Sequence, residues 1–178
     1  MKNVKTIHVV AINNEVKELL WILEKGFNGV ISIETVNMKR DAIERFGFKL
    51  EEKHLTKTAY SKPLTYFYEP NTAILKSGGF HEVSEQLDVY KLHQHSHLYT
   101  SETLIEFPGR TFRTQQVLLY NKKEVKRLGI KKANITTRNF PESVAQLRKK
   151  LNIKDGGNTY LFFTTNCENQ KILIVAYK

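Results

Sequence analysis

The start of the chain alternates apolar runs with polar turns, and the spacing predicts a β-α-β unit. Residues 7–12 are apolar and rich in β-branched side chains, which is typical of a buried strand. Asn13 or Asn14 suits the N-cap of a following helix. The apolar residues of that helix would share one face: they are Val16, Leu19, Leu20, Leu23 and Phe27. A glycine ends the helix, and alternation over residues 30–37 predicts a second strand.

The next stretch predicts a second set of elements. Residues 40–46 suit a short helix, and residues 48–52 and 64–68 suit short strands. Asn71 or Thr72 is the expected cap of a helix that bends at Gly78-Gly79 and continues to about Leu87. Residues 91–100 predict another strand. The resulting α+β order, β-α-β-β-α-β, is typical of a ferredoxin-like domain over residues 1–107.

Pro108-Gly109 suits a domain boundary, and residues 108–178 predict a second small domain. Its expected strands are residues 111–120, 131–137, 160–165 and 171–177, the last two forming a hairpin. Asn121 can cap a helix over residues 122–128, which Gly129 ends. A second helix opens at residues 139–141, and its apolar stripe is Val144, Leu147 and Leu151. The predicted order is β-α-β-α-β-β.

Composition indicates a folded, water-soluble protein. The chain has 178 residues, of which 40% are hydrophobic and 26% charged, so one ordinary domain or two small ones can form. No apolar run is long enough to span a membrane, and no secretory signal follows Met1. The single cysteine, Cys167, cannot form an internal disulfide. We therefore expect a cytoplasmic protein without a membrane partner.

Positive charge is concentrated in the second half of the chain. Residues 1–107 contain 13 Lys and Arg against 14 Asp and Glu, whereas residues 108–178 contain 15 against 4. This segregation favours a polyanionic partner over a basic surface kept only for solubility. The residues concerned fall into clusters: Lys122, Lys123, Lys126 and Arg127; Lys131 and Lys132; and Arg148, Lys149 and Lys150. The last cluster could equally stabilise the C-terminal end of its own helix.

Two arginines and two aromatic residues are further candidates for contact with nucleic acid. Arg113 and Arg138 lie in or beside predicted strands, where an Arg can hold a phosphate bidentately or form a salt bridge. Tyr120 and Phe140 are placed to stack on bases, although packing in the core is the more frequent role of such rings.

Three histidines raise the question of a metal site. His93, His95 and His97 would share one face of a strand, and three imidazoles can bind zinc. Same-face positions lie roughly 7 Å apart, which is long for one tetrahedral ion, so a half-exposed strand is the favoured interpretation. The sequence has no nucleophile, phosphate-loop or dinucleotide motif. We therefore expect neither a metal site nor a catalytic residue.

Several segments resemble a known protein family. Residues 131–151 and 154–165 are similar to the C-terminal THUMP-like domain of bacterial class I S-adenosylmethionine-dependent methyltransferases. Residues 70–79 and 91–101 resemble the ferredoxin-like domain that precedes it, and residues 7–20 resemble the segment where the catalytic domain ends. The resemblance implies RNA as the substrate class. It also implies that S-adenosylmethionine binds to a separate, Rossmann-like catalytic domain, whose motifs no residue of this sequence matches.

Charge and resemblance together predict an RNA-binding accessory region of a methyltransferase, with tRNA or rRNA and a catalytic domain, in cis or in trans, as partners. The predicted RNA-binding residues are Arg113, Lys122, Lys123, Lys126, Arg127, Lys131, Lys132, Arg138, Asn139, Phe140, Arg148 and Lys149. One alternative is a protein-interaction or dimerisation module that docks on a separate catalytic domain. Another is a free-standing enzyme that depends on the three histidines.

Overall fold

The computed structural model describes residues 2–50 and 58–178, which form two compact α+β units. Unit 1 comprises the described residues of Met1–Thr58 together with Pro70–Asp88 and Glu106–Arg110. Unit 2 comprises Ala59–Glu69, Val89–Ile105 and Thr111–Lys178. The predicted α+β class is confirmed. Each unit is assembled from segments distant in sequence, so the chain passes between the two units several times.

Unit 1 is built on a four-stranded sheet with the order β2-β1-β3-β4. The strands are β1 (Val4–Ile12), β2 (Glu15–Leu23), β3 (Ser32–Met38) and β4 (Ile43–Lys49). β1 runs parallel to β3, and the other two pairs are antiparallel. Buried and more exposed residues alternate along β1, so one face of the sheet forms the core of the unit.

The helix predicted after residues 13 and 14 is wrong, because those residues form a hairpin turn. Asn13 and Asn14 have φ angles of +49° and +64°, which suit a two-residue turn between antiparallel strands. Ile12 then lies opposite Glu15, and the segment with helical apolar spacing is strand β2. The side chain of Asn14 accepts a hydrogen bond from the backbone N–H of Thr72 at 2.9 Å. Backbone pairing with β1 therefore prevails over the helical spacing of β2.

The short helix predicted over residues 40–46 is also wrong, because β4 extends across most of that segment and pairs with β3. The side chains of Phe46 and Phe48 point to the buried face, with ring centroids 6.1 Å apart. The strand predicted over residues 48–52 coincides with the end of β4, and its residues 51 and 52 lie outside the described residues. Apolar and polar residues alternate around Phe46 and Phe48, which is a strand signal. The segment is short, so this alternation was mistaken for the apolar spacing of a helix.

The bent helix predicted after residue 71 is confirmed. It consists of α1 (Thr72–Ser77) and α2 (Phe80–Gln86). The Asn71 side chain caps α1 by accepting the N–H of Ile74 at 3.0 Å. Gly78 ends α1 with a φ angle of +82°. A Cβ atom at Gly79 would lie 2.5 Å from the Phe48 ring, so close packing of unit 1 requires glycine there.

Unit 2 contains most of a seven-stranded sheet with the order β6-β7-β5-β8-β11-β10-β9. Its strands are β5 (Tyr66–Pro70), β6 (Tyr90–Lys91), β7 (Tyr99–Ser101), β8 (Gly109–Leu119), β9 (Asn134–Arg138), β10 (Thr159–Thr165) and β11 (Lys171–Tyr177). Helices α3 (Lys122–Arg127) and α4 (Val144–Leu151) connect β8 to β9 and β9 to β10. The β-α-β-α-β-β order predicted for the second half of the chain is therefore confirmed.

The central strands of unit 2 are buried on both faces. On one face, Leu161 and Phe163 of β10 pack with Val125 of α3 and Leu147 of α4. On the other face, a second set of apolar residues packs around Phe162 of β10. Ring pairs join Phe162 to Phe67 and Phe112 at centroid distances of 4.6 and 4.9 Å. These two cores hold the strands and helices that carry the predicted basic residues.

The prediction of one strand over residues 91–100 is wrong in the middle of that segment. Only its two ends pair, as β6 and β7, and the intervening residues form a turn. His97 in this turn has a φ angle of +50°, which a regular strand does not permit. The three histidines therefore do not share the face of a strand.

Candidate nucleic-acid interface

Helix α3 carries an exposed cluster of positive charge. Lys122, Lys123, Lys126 and Arg127 are all exposed, whereas Val125 of the same helix is buried in the core. The Asn121 side chain caps the helix by accepting the N–H of Lys123 at 2.8 Å, which fixes where α3 begins. Helical spacing places the four cations on the side away from the core. We call these four residues the α3 cluster.

Most of the α3 cluster forms no ion pair among the described residues. Arg127 contacts Glu124 at 2.8 Å, and both side chains are solvent-exposed, so this pair contributes little to stability. The lysine side chains of the cluster form no ion pair or hydrogen bond within the part of the chain that the structure describes. These cations are accordingly available to an external anion.

Four further predicted residues are exposed on other elements. Arg113 lies on β8, opposite Tyr177 of β11. Lys131 and Lys132 precede β9, and Lys149 lies on α4. All four are charged side chains in contact with solvent, as expected for residues that bind phosphate.

Two predicted arginines instead have partners inside unit 2. Nε and Nη2 of Arg138 donate to the same carboxylate oxygen of Glu69, at 3.1 and 2.8 Å. Glu69 is only 3% exposed, so this pair is partly desolvated. Arg148 forms an ion pair with Asp155 and donates to the backbone oxygen of Ala133 at 3.3 Å. Both arginines therefore hold strands and loops of unit 2 in place.

Replacing Arg138 with alanine is expected to destabilise unit 2. The substitution removes two hydrogen bonds to a buried carboxylate, so we expect a decrease in the free energy of unfolding of about 1–3 kcal/mol. Urea denaturation monitored by far-UV circular dichroism measures the free energy of unfolding of wild type and variant. Arg127→Ala is the matched control and should change stability by less than about 0.5 kcal/mol. Equal stabilities of the two variants would show that the Arg138–Glu69 pair has no structural role.

The predicted stacking residue Phe140 lies against other rings. Its centroid is 5.0 Å from Tyr120 and 5.6 Å from the buried Phe163. The hydroxyl of Tyr120 donates to Glu142 at 2.7 Å, and Lys150 binds the same carboxylate at 2.9 Å. Burial and this carboxylate raise the pKa of Tyr120, and the Lys150 hydrogen bond lowers the pKa of Glu142. Tyr120 and Phe140 are thus engaged in internal packing.

Asn139 belongs to a hydrogen-bonded array that sequence reasoning missed. His93 Nδ1 lies 3.0 Å from the Asn139 side-chain nitrogen and accepts the backbone N–H of His95 at 3.0 Å. Because Nδ1 accepts, the ring proton is on Nε2, which lies 2.9 Å from the Asn169 side-chain oxygen. Asn139 and Asn169 both adopt left-handed backbone conformations. Asparagine tolerates that conformation. The two asparagines were therefore the one feature of the sequence that could have indicated this array.

Two buried or partly buried bases lie close to this array. Burial lowers the pKa of Lys91 to about 8. Burial, and then the positive charges of Lys91, His95 and Arg138, lower the pKa of His97 to about 4. Lys91 donates from Nζ to the backbone oxygen of Gln94 at 2.9 Å. The folded protein therefore favours the neutral form of His97 at physiological pH.

An open cavity of about 220 Å³ adjoins His93 and is lined also by Tyr60, Gln94, Cys167 and Asn169. Among residues 2–50 and 58–178, no three His, Cys, Asp or Glu side chains are grouped so that they could hold a metal ion. Within the same residues, no helix is long and apolar enough to cross a membrane.

The fold defines an α+β protein with a basic C-terminal domain, and family comparison identifies its domains. The family described as "THUMP domain-like" matches residues 109–178, and the family described as "ferredoxin-like domain" matches residues 66–108. The chain thus contains a segment that matches a ferredoxin-like family, followed directly by a segment that matches a THUMP-like family. The resemblance found in the sequence is confirmed.

A solved structure shares this fold over nearly the whole chain. It is described as the crystal structure of a "putative methyltransferase from Porphyromonas gingivalis W83". The two sequences are 36% identical with a TM-score of 0.92. The match covers 99% of this chain but 46% of the other, so this chain spans less than half the length of that protein. No curated protein is significantly similar to this chain.

Proposed function

We propose that this chain is the RNA-binding accessory region of an S-adenosylmethionine-dependent RNA methyltransferase. The observation that carries the proposal is the exposed α3 cluster, which lies in a half of the chain with 15 basic and 4 acidic residues. Phosphate groups are the polyanion that such lysines bind in nucleic acids, and they supply most of the affinity that does not depend on sequence. The match to a THUMP-like family supports RNA as the ligand.

The proposed interface combines the α3 cluster with the other exposed cations of the THUMP-like domain. Arg113, Lys131, Lys132 and Lys149 are exposed cations of the same domain, and we assign them further phosphate contacts. Arg138 and Arg148 are paired with carboxylates of the chain itself, Arg138 with the buried Glu69 and Arg148 with the exposed Asp155, so we assign them a supporting rather than a direct role. Phosphate contacts of this kind position an RNA molecule without reading its bases, so recognition of the methylated base is assigned to another region.

Cofactor binding is likewise assigned to a partner. The similar Porphyromonas gingivalis protein is more than twice as long as the segment matched by this chain. We propose that a catalytic domain, covalently linked or separate, binds S-adenosylmethionine and transfers the methyl group in the cytoplasm. The present chain would supply affinity for the RNA and hold it near that domain.

Titration with RNA tests the proposal. Fluorescence anisotropy with labelled tRNA and a labelled rRNA fragment should show binding that weakens steeply between about 50 and 200 mM salt. A parallel calorimetric titration with S-adenosylmethionine should show no binding to this chain. Absence of RNA binding at the lower salt concentration would refute the proposed function. Binding that does not respond to salt would refute the phosphate-contact mechanism.

A further inference from the structure

The outer strand of the unit 1 sheet exposes an unusual run of large apolar side chains. Leu19, Leu20, Trp21, Ile22 and Leu23 of β2 are 49, 50, 47, 47 and 65% exposed, respectively. β2 pairs with β1 on one side only, and no other described strand pairs with its outer edge. Single exposed apolar residues are common on protein surfaces, but a contiguous patch generally marks a site of interaction.

The exposed side chains lie on both faces of the sheet. Trp21 lies opposite Ile7, which is buried, so it belongs to the core-facing side. Leu20 lies opposite His8, and Ile22 lies opposite Thr6, on the other side. Directly opposed residues of antiparallel strands share a face. A partner that covers β2 must therefore contact both faces of the sheet, which a polypeptide achieves by continuing the sheet beyond its edge.

The second half of this edge lacks the charged residues that usually protect open sheet edges. The charged residues of β2 lie at its beginning, as does a register shift at Lys17; a second shift lies on the β1 side, opposite Ile22 and Leu23. The run from residue 19 to residue 23 contains no charge, proline or glycine. Natural edge strands are usually short, bulged or charged, because an apolar edge pairs readily with other chains. We infer that another polypeptide segment covers the outer edge of β2 in the functional protein.

Charge and chain length indicate what covers it. Residues 1–107 carry 13 basic and 14 acidic residues, so this half offers no excess positive charge to attract RNA or anionic lipid. An apolar surface in a neutral surrounding is typical of contact with protein. The similar Porphyromonas gingivalis chain has the same fold in the matched part, and more than half of its length lies outside the match. That additional polypeptide is long enough to form a folded domain, and we take its equivalent as the candidate partner for the β2 edge.

We propose that the outer edge of β2 is the docking surface for a folded polypeptide region equivalent to the unmatched part of that longer chain. The region adds a strand along β2 and buries Leu19–Leu23 on both faces of the extended sheet. This inference rests on the proposed function in so far as the docked region is the catalytic partner. It assigns the RNA contact and the protein contact to separate parts of the chain.

Amide hydrogen exchange tests the inference. It is measured by mass spectrometry on the intact Porphyromonas gingivalis protein and on the present 178-residue chain. In β2, alternate amides face β1 and the others face outward. The outward amides should exchange rapidly in the present chain, and their counterparts in the intact relative should exchange at least 100-fold more slowly. Size-exclusion chromatography with light scattering should show the present chain as a monomer.

Each other outcome would overturn the inference. Equally fast exchange in the intact relative would show that its additional polypeptide does not cover this edge. Slow exchange of the outward amides in the present chain, together with a dimeric mass, would assign the edge to a second copy. Slow exchange in a monomer would mean that the edge is not open.

Variants separate this inference from the RNA-binding proposal. Leu20→Lys combined with Ile22→Lys should leave RNA affinity within twofold of wild type, because both residues lie outside the basic domain. Ile43→Lys on the opposite edge strand is the control for placing a lysine on an exposed edge, since Ile43 is 57% exposed. A further outcome is that wild type, the double variant and Ile43→Lys all fail to bind RNA while β2 stays protected from exchange in the intact relative. That result would refute the proposed function without contradicting the docking proposal.

Discussion

Replacing the four residues of the α3 cluster with glutamine is expected to weaken RNA binding by at least tenfold at about 100 mM salt and to flatten its salt dependence. Each phosphate neutralised on a single strand contributes about 0.7 to the slope of log K against log salt, so loss of four contacts lowers the slope by up to about 3. Glutamine retains the helix propensity of lysine and arginine. Anisotropy titrations at four salt concentrations measure both effects.

A second variant with the same change in net charge serves as the control. Lys2, Lys25, Arg40 and Lys76 are exposed cations of unit 1, and their replacement by glutamine also removes four charges. If RNA contacts the α3 cluster directly, this control should retain RNA affinity within about threefold. Equal losses in the two variants would mean that the overall charge of the protein, rather than a defined surface, attracts RNA.

Acidification is expected to destabilise the protein through His97. The pKa of His97 in the folded protein is about 4, compared with 6.5 for an ordinary histidine. Between these two values the unfolded chain binds a proton that the folded protein does not, so stability falls as pH decreases from 6.5 towards 4. The pKa difference corresponds to a loss of up to about 3 kcal/mol, with about 2 kcal/mol expressed by pH 4.5.

Comparison with His97→Asn isolates this contribution from other titrating groups. Asparagine does not titrate, and it tolerates the φ angle of +50° found at this position. Urea denaturation at pH 7 and pH 4.5 should show a decrease in stability that is about 2 kcal/mol larger for wild type than for the variant. The same decrease in both proteins would show that His97 does not resist protonation in the folded state.

The sequence predicted the THUMP-like half of the chain well because local signals there agree with the tertiary structure. Asn121 caps α3, and Val144, Leu147 and Leu151 line one side of α4. The apolar runs of β10 and β11 are long enough to be strands buried on both faces. Where capping, periodicity and burial all favour the same element, sequence patterns are a sound guide to structure.

The first half was harder to predict because its local signals conflict. Residues 15–23 have apolar spacing that suits a helix, but they pair with β1 across a turn at Asn13 and Asn14. Two successive asparagines suit a helix cap or a left-handed turn, and the choice depends on hydrogen bonds to distant strands. The strand predicted around His93 was wrong for a similar reason, because the conformation there depends on residues far along the chain: the His93 side chain contacts those of Asn139 and Asn169.

The sequence by itself determined the α+β class, the order of elements in the second half and the concentration of positive charge there. These features follow from residue type and spacing. Only the tertiary structure decided which cations are available to an external anion. Arg138 and Arg148 have internal carboxylate partners, whereas the α3 lysines have none among the described residues. Only the tertiary structure revealed the open edge of β2, because strand pairing depends on residues that are distant in sequence.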